Sequence, residues 1–490
     1  MNMKAQSLYT ADQVRELDRL AIEEEGIPGY TLMQRAGQSC FDELTLAWPD
    51  ASRLTVCCGS GNNGGDGYVI ATLALRAGLD VHLIQIGNPE HIRGDAALAR
   101  QAYIDAGGIE HVWERRLPAS DVIVDAMLGT GLQRPVEGHY LACIHAINHQ
   151  TMPVLSVDIP SGIHADTGSP MGGAIRADIV VSFVGRKRGL YTGRSLDYRG
   201  RMVFDDLGIP LSVYQKLIPS ARLIDHRVHA EALPKRRLNA HKGLFGHVLI
   251  IGGGPGMPGA AMMAGTAALR AGAGRVTIAT HPEHASLMPM YQPELMCRGI
   301  ETGEDVLPLL GQASCVVLGP GLGKSQWAKA LFNQVIDQAV PMVLDADALN
   351  LLAQNPRQGS DWVLTPHPAE AARLLGVSSH DIQRDRFSSA VRLHERYQAV
   401  TVLKGAGTLV ASEDGLSLCA AGNPGMATAG MGDILAGMIG GLIAQKMDLI
   451  PAAERGTCIH AWAGDQAAQT GERGLLATDL LDFIRQGVNL

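Results

Sequence analysis

Short apolar runs alternate with longer segments of mixed polarity along the whole chain. In the first half these runs are continuous and rich in Val and Ile, at 54–58, 81–86, 122–125, 154–159 and 179–183. Continuous runs of this kind are typical of strands buried on both faces of a parallel sheet. Helix-like segments fill the intervals, for example at 68–77 and 95–106. The pattern therefore predicts a doubly wound α/β domain.

The alternation breaks between 209 and 238, where Pro210, Pro219 and Pro234 precede a basic cluster at 235–237. We interpret this segment as a linker. The alternation then resumes, with Ala- and Gly-rich helices at 260–271 and 432–444 and with strand candidates at 247–251, 275–280, 315–319, 342–345, 362–365 and 400–404. The chain is expected to fold as two α/β domains, at 1–220 and 221–490.

Composition narrows the class of protein. With 46% apolar and 18% charged residues, the 490-residue chain is predicted to be globular rather than disordered. Its net charge of −8, without a basic block, argues against nucleic-acid or anionic-lipid partners. No run approaches the roughly 18 apolar residues of a membrane span, and no targeting segment is expected. Eight cysteines without C-x-x-C spacing indicate reduced thiols in a cytoplasmic protein.

Three polar loops are predicted to meet at one edge of the first sheet. The first is GSGNNGGDG at 59–67, whose free backbone N–H groups could line an anion site at a helix N-terminus. Two other apolar runs lead into Asp125 and Asp158. Ligands of open α/β sheets lie outside the carboxyl ends of the strands, so the three loops should share one crevice. A tight turn for the glycines and a helix cap for either aspartate are the simpler alternatives.

The motifs GNNGGDG (61–67), VDAMLGTGL (124–132), VDIPSG (157–162) with ADTG (165–168), and KRGLYTG (187–193) occur in this order. Together they resemble the NAD(P)H-hydrate epimerase domain, over roughly 1–215. The resemblance implies a Rossmann-like, three-layer α/β/α fold that interconverts the R and S forms of hydrated NADH and NADPH. It also implies a potassium ion held by Asn63, Asp125 and Ser161, because hard oxygen ligands suit such a cation.

The same resemblance places the dinucleotide substrate. Its binding positions match Asn62, Asn63, Gly64, Gly65, Asp66, Gly129, Thr130, Gly131, Leu132, Gln133, Arg134, Pro135 and Asp158. We expect Asp158 to be catalytic and to face the reacting ring. Loss and return of the C6 hydroxyl through an iminium-like species would scramble its configuration. A carboxylate could stabilise that cation and move the proton.

The second half contains two glycine-rich motifs, one that matches a dinucleotide-binding pattern and one that indicates a phosphate site. GPGMPG at 254–259 satisfies G-x-G-x-x-G. The next strand, however, ends in Thr280 and His281 without an acid for a ribose hydroxyl, and Pro258 stands where the helix would start. We therefore discount a redox enzyme. GNPGMATAGMGD at 422–433 instead places small residues before a helix, where amides and the helix dipole bind transferring phosphate. A Gly-rich turn with Asp433 as an N-terminal acid is the alternative.

Six further motifs accompany it: HKGLFGHVLIIGG (241–253), AALRAGAGRV (267–276), GPGLG (319–323), DADALN (345–350), TPHPAEAARLLG (365–376) and LKGAGTLV (403–410). They resemble the ADP/ATP-dependent NAD(P)H-hydrate dehydratase of the ribokinase-like superfamily, over about 225–490. That enzyme phosphorylates the hydroxyl and lets the phosphate leave. The resemblance makes Asp433 the catalytic base and favours ADP as donor. One departure is Ala429, where the family has glycine.

The dehydratase resemblance also implies ligand contacts. The nucleotide would lie on Lys404, Gly405, Ala406, Gly407, Thr408 and Gly432, and the hydrate on Ala260, Gly323, His367 and Asp433. We expect Mg²⁺ to accompany the nucleotide, with most of its ligands supplied by nucleotide oxygens. A free surface histidine is the alternative for His367.

Two other functions are open at this stage. The second half could be a kinase for a small alcohol that releases a stable phosphoester, and the first half could be a non-catalytic nucleotide-binding module. A homo-oligomer is expected from the family resemblance.

Overall fold

The computed structural model describes residues 6–490. It divides into two compact units, with the boundary between Arg222 and Leu223. Residues 1–5, on which the expected lack of a targeting segment partly depends, lie outside the described residues. Within 6–490 no helix has both the length and the apolar character needed to cross a membrane. All eight cysteines are free thiols, and seven of them are buried.

The N-terminal unit is built on seven parallel strands. Their order is β4-β3-β2-β5-β6-β7-β9, and it reverses direction between β2 and β5. A separate strand, β1, pairs with β8 in parallel and with the start of β10 in antiparallel orientation. The strands are β1 (Ser7–Tyr9), β2 (Arg53–Cys58), β3 (Asp80–Gln85), β4 (Glu110–Val112), β5 (Val122–Ala126), β6 (Val154–Val157), β7 (Ile179–Phe183), β8 (Arg186–Lys187), β9 (Arg201–Asp205) and β10 (Ala221–Ile224).

Helices cover both faces of this sheet. Alternate residues of β2 face opposite layers: Leu54 and Val56 belong to the larger core and Cys57 to the smaller one. The predicted three-layer α/β/α arrangement is therefore confirmed. The helices are Ala11–Glu23, Gly29–Ala47, Asn62–Arg76, Gly94–Asp105, Gly138–Asn148 and Leu211–Tyr214.

The C-terminal unit has its own sheet, in the order β13-β12-β11-β14-β15-β16-β17-β18-β19. Strands β11 to β17 pair in parallel, and β17, β18 and β19 form an antiparallel meander. The strands are β11 (His247–Ile251), β12 (Arg275–Thr280), β13 (Met296–Gly299), β14 (Cys315–Leu318), β15 (Met342–Leu344), β16 (Trp362–Leu364), β17 (Val400–Leu403), β18 (Thr408–Ser412) and β19 (Gly415–Cys419).

Small-residue helices pack closely in this second unit. Ala264, Ala268 and Ala436 share a core with Val248 and Ile250 of β11. Small side chains allow helices to approach a sheet closely, as the Ala- and Gly-rich sequences predicted. The helices are Pro258–Arg270, Pro282–Ala285, Met288–Tyr291, Leu307–Leu310, Gln326–Val335, Asp347–Gln354, Pro368–Leu375, Ser379–Arg384, Arg386–Tyr397, Met431–Ala444, Leu449–Ala467 and Leu481–Gly487.

Two local expectations were wrong. The helix expected at 68–77 begins at Asn62, so most of the supposed glycine loop forms its first turns. The segment 209–238, interpreted as a linker, contains the boundary between the two units together with the helix Leu211–Tyr214 and strand β10. Pro258 opens a helix, as proline commonly does, since a first-turn residue needs no N–H partner. It was therefore no argument against the motif at 254–259.

Candidate active sites

A cavity of about 570 Å³ opens at the carboxyl ends of the N-terminal strands. It lies where the strand order reverses, the usual ligand position in doubly wound sheets. Most of the predicted substrate residues line it: Asn62, Asn63, Asp66, Gly129, Thr130, Gly131, Leu132, Gln133, Arg134 and Asp158. Pro135, Gly64 and Gly65 are not among its lining residues.

Gly64 and Gly65 have a packing role. A Cβ on Gly64 would lie 1.9 Å from the carbonyl oxygen of Gly59, and one on Gly65 would lie 2.7 Å from the sulfur of Met33. Both residues are buried. Glycine is therefore needed here for the helix to approach its neighbours. The predicted contact of these two glycines with a substrate stays a prediction.

Asp158 forms a buried ion pair with Lys187. Strand β6 ends at Val157, and Asp158 turns the chain with a φ of 65°. Its carboxylate accepts hydrogen bonds from the Lys187 ammonium and, at 3.1 Å, from the Phe183 N–H. The Lys187 ammonium also donates to the Phe183 carbonyl at 2.8 Å. Because the lysine side chain is only 1% exposed, this partner fixes the position of the Asp158 carboxylate.

Three further carboxyl groups, those of Asp18, Asp66 and Asp95, line the same cavity. Asp18 projects from the helix Ala11–Glu23 and Asp66 from the helix Asn62–Arg76. Burial raises the pKa of Asp18 to about 6, with Lys187 opposing and Asp158 adding to that shift. Burial and the neighbouring Asp158 raise the pKa of Asp66 well above its usual range. Asp18, Asp66 and Asp158 therefore all interact electrostatically with the ammonium of Lys187.

Asp125 and Ser161 form a buried polar cluster beneath the loop after β5. The fully buried Asp125 accepts hydrogen bonds from the Ser161 hydroxyl at 2.5 Å and from the Ser161 N–H at 2.8 Å. Burial raises the pKa of Asp125, and these hydrogen bonds oppose the shift. The Asn63 side-chain nitrogen is buried without a hydrogen-bond partner. Gly129 lies against Asn63 and thus connects it with this loop.

The C-terminal site also lies at the carboxyl ends of parallel strands. Asp345 follows β15, and Lys404 follows β17. The Lys404 ammonium donates to Asp345 at 2.8 Å and lies 4.0 Å from Glu370. The Thr365 hydroxyl also donates to Asp345, at 2.7 Å. Although burial opposes its charge, these carboxylates raise the pKa of Lys404, so the lysine stays cationic.

The helix Met431–Ala444 meets this ion pair at its N-terminus. Gly430 is the N-cap with a φ of 91°, and no side chain caps this end of the helix. A Cβ on Gly432 would lie 2.9 Å from the Lys404 ammonium. Burial raises the pKa of Asp433 to about 7, with a further upward contribution from Asp345. The arrangement joins helix amides, an ammonium and a carboxyl that titrates near neutral pH.

Ala346 separates two aspartates that have different partners. Asp345 holds Lys404, whereas Asp347 accepts a hydrogen bond from the Gly323 N–H at 2.8 Å. Ala346 has a φ of 49° and a ψ of −113°, a conformation that side-chain-bearing residues rarely adopt. Ala260 lies nearby, with its Cβ 3.0 Å from where a Cβ on Gly321 would stand.

His367 caps a helix rather than standing free on the surface. It is the N-cap of Pro368–Leu375, and its Nδ1 accepts the Ala369 N–H at 3.1 Å. Its own N–H donates to Glu370 at 2.8 Å. Burial and the nearby Lys404 lower the pKa of His367, so the ring is neutral at pH 7. Burial raises the pKa of Glu370 to about 7.

A buried arginine holds the loop that follows β17. Arg386 is fully buried, and its guanidinium donates to the carbonyl groups of Leu403, Lys404 and Gly407 at 3.2–3.4 Å. The segment it supports is the predicted nucleotide loop, in which Gly405 and Ala406 are exposed. Arg386 therefore fixes the backbone from beneath while the loop surface stays open.

Two family models match the chain, one in each unit. The model described as YjeF-related protein N-terminus matches residues 29–189, and that described as NAD(P)H-hydrate dehydratase matches residues 248–486. These matches coincide with the two sheets and their carboxyl-end sites.

Curated relatives are similar over nearly the whole length. The bifunctional NAD(P)H-hydrate repair enzyme of Coxiella burnetii is 50% identical, over 98% of this chain and 99% of its own. This chain belongs to that family of bifunctional repair enzymes. The enzyme of the same name from Escherichia coli is 45% identical, over 99% of this chain and 94% of its own. The family predicted from the motifs of both halves is confirmed, and these relatives do not support the alternative of a small-alcohol kinase.

The C-terminal unit of this repair-family chain is ribokinase-like, as predicted. A ribokinase-like superfamily protein from Enterococcus faecalis is 26% identical, with a TM-score of 0.51, over 56% of this chain and 96% of its own.

The motifs did not assign roles to several residues that shape these sites. Lys187, Asp345 and Glu370 lie inside KRGLYTG, DADALN and TPHPAEAARLLG, so a signal was present. Asp18 and Arg386 lie in ordinary amphipathic helices, where a charged residue usually faces solvent, and no sequence signal marks them.

Proposed function

We propose that this chain repairs hydrated NADH and NADPH in two steps. The N-terminal unit interconverts the R and S hydrates, and the C-terminal unit dehydrates the S form at the expense of ADP, giving AMP and phosphate. The observation that carries the proposal is the close approach of the Lys404 ammonium to Gly432, at the uncapped N-terminus of the helix that carries Asp433. That arrangement suits transfer of a phosphoryl group to an alcohol.

The epimerase chemistry belongs to the cavity of the N-terminal unit. The ring nitrogen of the hydrate can expel the C6 hydroxyl and form an iminium ion. The Asp158 carboxylate, held in place by Lys187, would stabilise that positive charge. Water that returns to the other face of C6 gives the opposite configuration. The predicted loop at 129–135 would cover the dinucleotide, and six of its seven residues line the cavity.

The dehydratase chemistry resembles that of a kinase whose product falls apart. A hydroxyl is a poor leaving group, whereas a phosphate is a good one. Asp433 would take the hydroxyl proton, because its carboxyl titrates near neutral pH. The amides at 429–432 and the Lys404 ammonium would stabilise the phosphoryl charge during transfer. Gly405, Ala406, Gly407 and Thr408 would hold the nucleotide, and Ala260, Gly323 and His367 would contact the hydrate.

Potassium fits the cluster at Asn63, Asp125 and Ser161. The donors are a carboxylate, a hydroxyl and an amide, all of which can offer hard oxygen ligands. The Asp125 carboxyl is fully buried, and Asn63 lies against Gly129 in the loop that Asp125 and Ser161 support. A bound monovalent cation would neutralise the Asp125 carboxylate. These residues would then hold the loop at 127–129 in place over the cavity.

Magnesium would enter the C-terminal site with the nucleotide, where it would neutralise phosphate charge. Across residues 6–490 no group of three His, Cys, Asp or Glu side chains is arranged to hold a metal ion. Nucleotide oxygens would therefore supply most ligands, with the Asp345 and Glu370 carboxylates close by. The homo-oligomer and the cytoplasmic location stay predictions, which light scattering and cell fractionation would test.

The test is incubation with mixed R and S hydrates, with and without ADP, followed by chirally resolved chromatography. If the chain repairs the hydrates, inorganic phosphate is released and near-ultraviolet absorbance returns, and both happen only when ADP is present. A stable phosphoester would instead support a kinase. Asp433→Ala should abolish dehydration and leave epimerisation intact, whereas Asp158→Asn should do the reverse. A folded variant that lost both activities would contradict independent sites.

A further inference from the structure

The cavity of the N-terminal unit holds more carboxyl groups than the proposed epimerisation has so far used. Asp158 is bound to Lys187 through a charge-assisted hydrogen bond. A carboxylate held in this way is well placed to stabilise a cation, whereas the oxygen that accepts from Lys187 and the Phe183 N–H is not free to receive a proton from the substrate. Proton transfer to the departing hydroxyl therefore needs another group.

Asp18 is in position to supply it. Its side chain lines the cavity together with Asp158 and Asp66, and it is half-buried. Within the described part of the chain, no hydrogen bond or ion pair engages the Asp18 carboxyl, so this group is available to a ligand. The charged and titratable groups around it are Lys187, Asp158, Asp66, Tyr214 and, on its own helix, Arg15; Asp95 and Arg134 also line the cavity.

Asp66 is less suited to the same role. Its pKa is raised well above its usual range by burial and by the neighbouring Asp158 and Asp18. A group that must both give and take back a proton works best when it titrates near the working pH. The pKa of Asp18, at about 6, meets that condition. A protonated Asp66 would instead donate a hydrogen bond.

We propose that Asp18 is the general acid and base of the epimerisation, while Asp158 stabilises the cationic ring; this rests on the proposed function of the N-terminal unit. In the forward step the C6–O bond breaks with its electron pair on oxygen, the Asp18 proton moves to that oxygen, and water leaves. The lone pair of the ring nitrogen forms the C=N bond. In the return step water adds to the other face of C6, its proton passes to Asp18, and the C=N pair returns to nitrogen.

The test uses the full chain and the R hydrate without ADP, so that the dehydratase is idle. In Asp18→Asn we expect kcat for epimerisation to fall by about 100-fold or more, with little change in KM. In the unaltered chain kcat should fall as the pH rises through about 6, because the acid form is lost. That decline should disappear in Asp18→Asn and move to another pH in Asp18→Glu.

Glu23→Gln is the matched control. It neutralises an exposed carboxylate on the same helix, outside the cavity, and should leave kcat and its pH dependence unchanged. An Asp18→Asn variant with kcat within about threefold of the unaltered chain overturns the proposal. So does a rise in KM with the pH profile preserved, which would make Asp18 a binding residue.

If Asp18→Asn does not fold, Asp18→Glu provides the test. If kcat of Asp18→Glu declined at the same pH as kcat of the unaltered chain, residue 18 would not be the group that titrates. A failure of the proposed function gives a different result. In that case the hydrate would epimerise no faster with the unaltered chain than without it.

Discussion

Gly432→Ala tests whether the Lys404 ion pair and the helix N-terminus form one phosphoryl-transfer site. The new Cβ would lie 2.9 Å from the Lys404 ammonium, whereas ordinary contacts begin near 3.4 Å. The two groups must therefore separate by about 0.5 Å, which displaces the ammonium from the position in which it contacts an Asp345 oxygen at 2.8 Å. A hydrogen bond between charged groups contributes about 1.5–3 kcal/mol. A loss of about 1.5 kcal/mol, the lower end of that range, corresponds to a fall of about tenfold in kcat/KM for ADP.

The assay is regain of near-ultraviolet absorbance by the S hydrate over a range of ADP concentrations. Thermal unfolding reports the separate effect on stability, in which the weaker Lys404–Asp345 hydrogen bond opposes the better helix propensity of alanine. Gly311→Ala is the control, since a Cβ there meets open space and the φ of −62° suits alanine. If Gly432→Ala kept kcat/KM within about twofold of the unaltered chain, the proposed contact between ammonium and phosphate would be wrong.

Three further changes probe other parts of the two sites. Burial raises the pKa of Asp433 to about 7, so kcat for dehydration should fall as the pH is lowered through that value and the base is protonated. A pH–rate profile that is flat across this range would contradict Asp433 as the base. Arg386→Met should raise KM for ADP about tenfold and change kcat less, because the loop loses three hydrogen bonds from a charged group; an unchanged KM in ADP titrations would contradict this. Gly64→Ala should destabilise the N-terminal unit by about 1–3 kcal/mol, because its Cβ would overlap the Gly59 carbonyl. Denaturant unfolding measures this, and an unmoved midpoint would show that the backbone can yield there.

The sequence predicted the strands more accurately than the first turn of the site helix. Strand β5 was expected at 122–125 and spans Val122–Ala126, because apolar runs buried on both faces admit few other structures. The helix after β2 begins at Asn62, six residues before its predicted start at residue 68. Its glycines suggested a loop, but close packing against Gly59 and Met33 overrides their weak helix propensity.

Candidate site residues were predictable where a motif marks them and not where only the fold unites them. Asn63, Asp125 and Asp158 lie at the carboxyl ends of strands that share one sheet, so topology alone suggests their proximity. Asp18 joins Lys187 only through the packing of the first helix over the cavity, and no spacing in the chain reports that. Arg386 was unpredictable for a similar reason, because burial of a guanidinium beneath a loop cannot be inferred from an amphipathic helix.

The unusual backbone at Ala346 implies a conflict between robustness and catalysis. A residue with a φ of 49° and a ψ of −113° carries strain of about 1–3 kcal/mol, which glycine would largely release. A screen for heat-resistant variants would therefore favour Ala346→Gly. The same change would allow the backbone next to Asp345 and Asp347 to rotate more freely. Selection for thermal stability alone would therefore lower the activity of the enzyme.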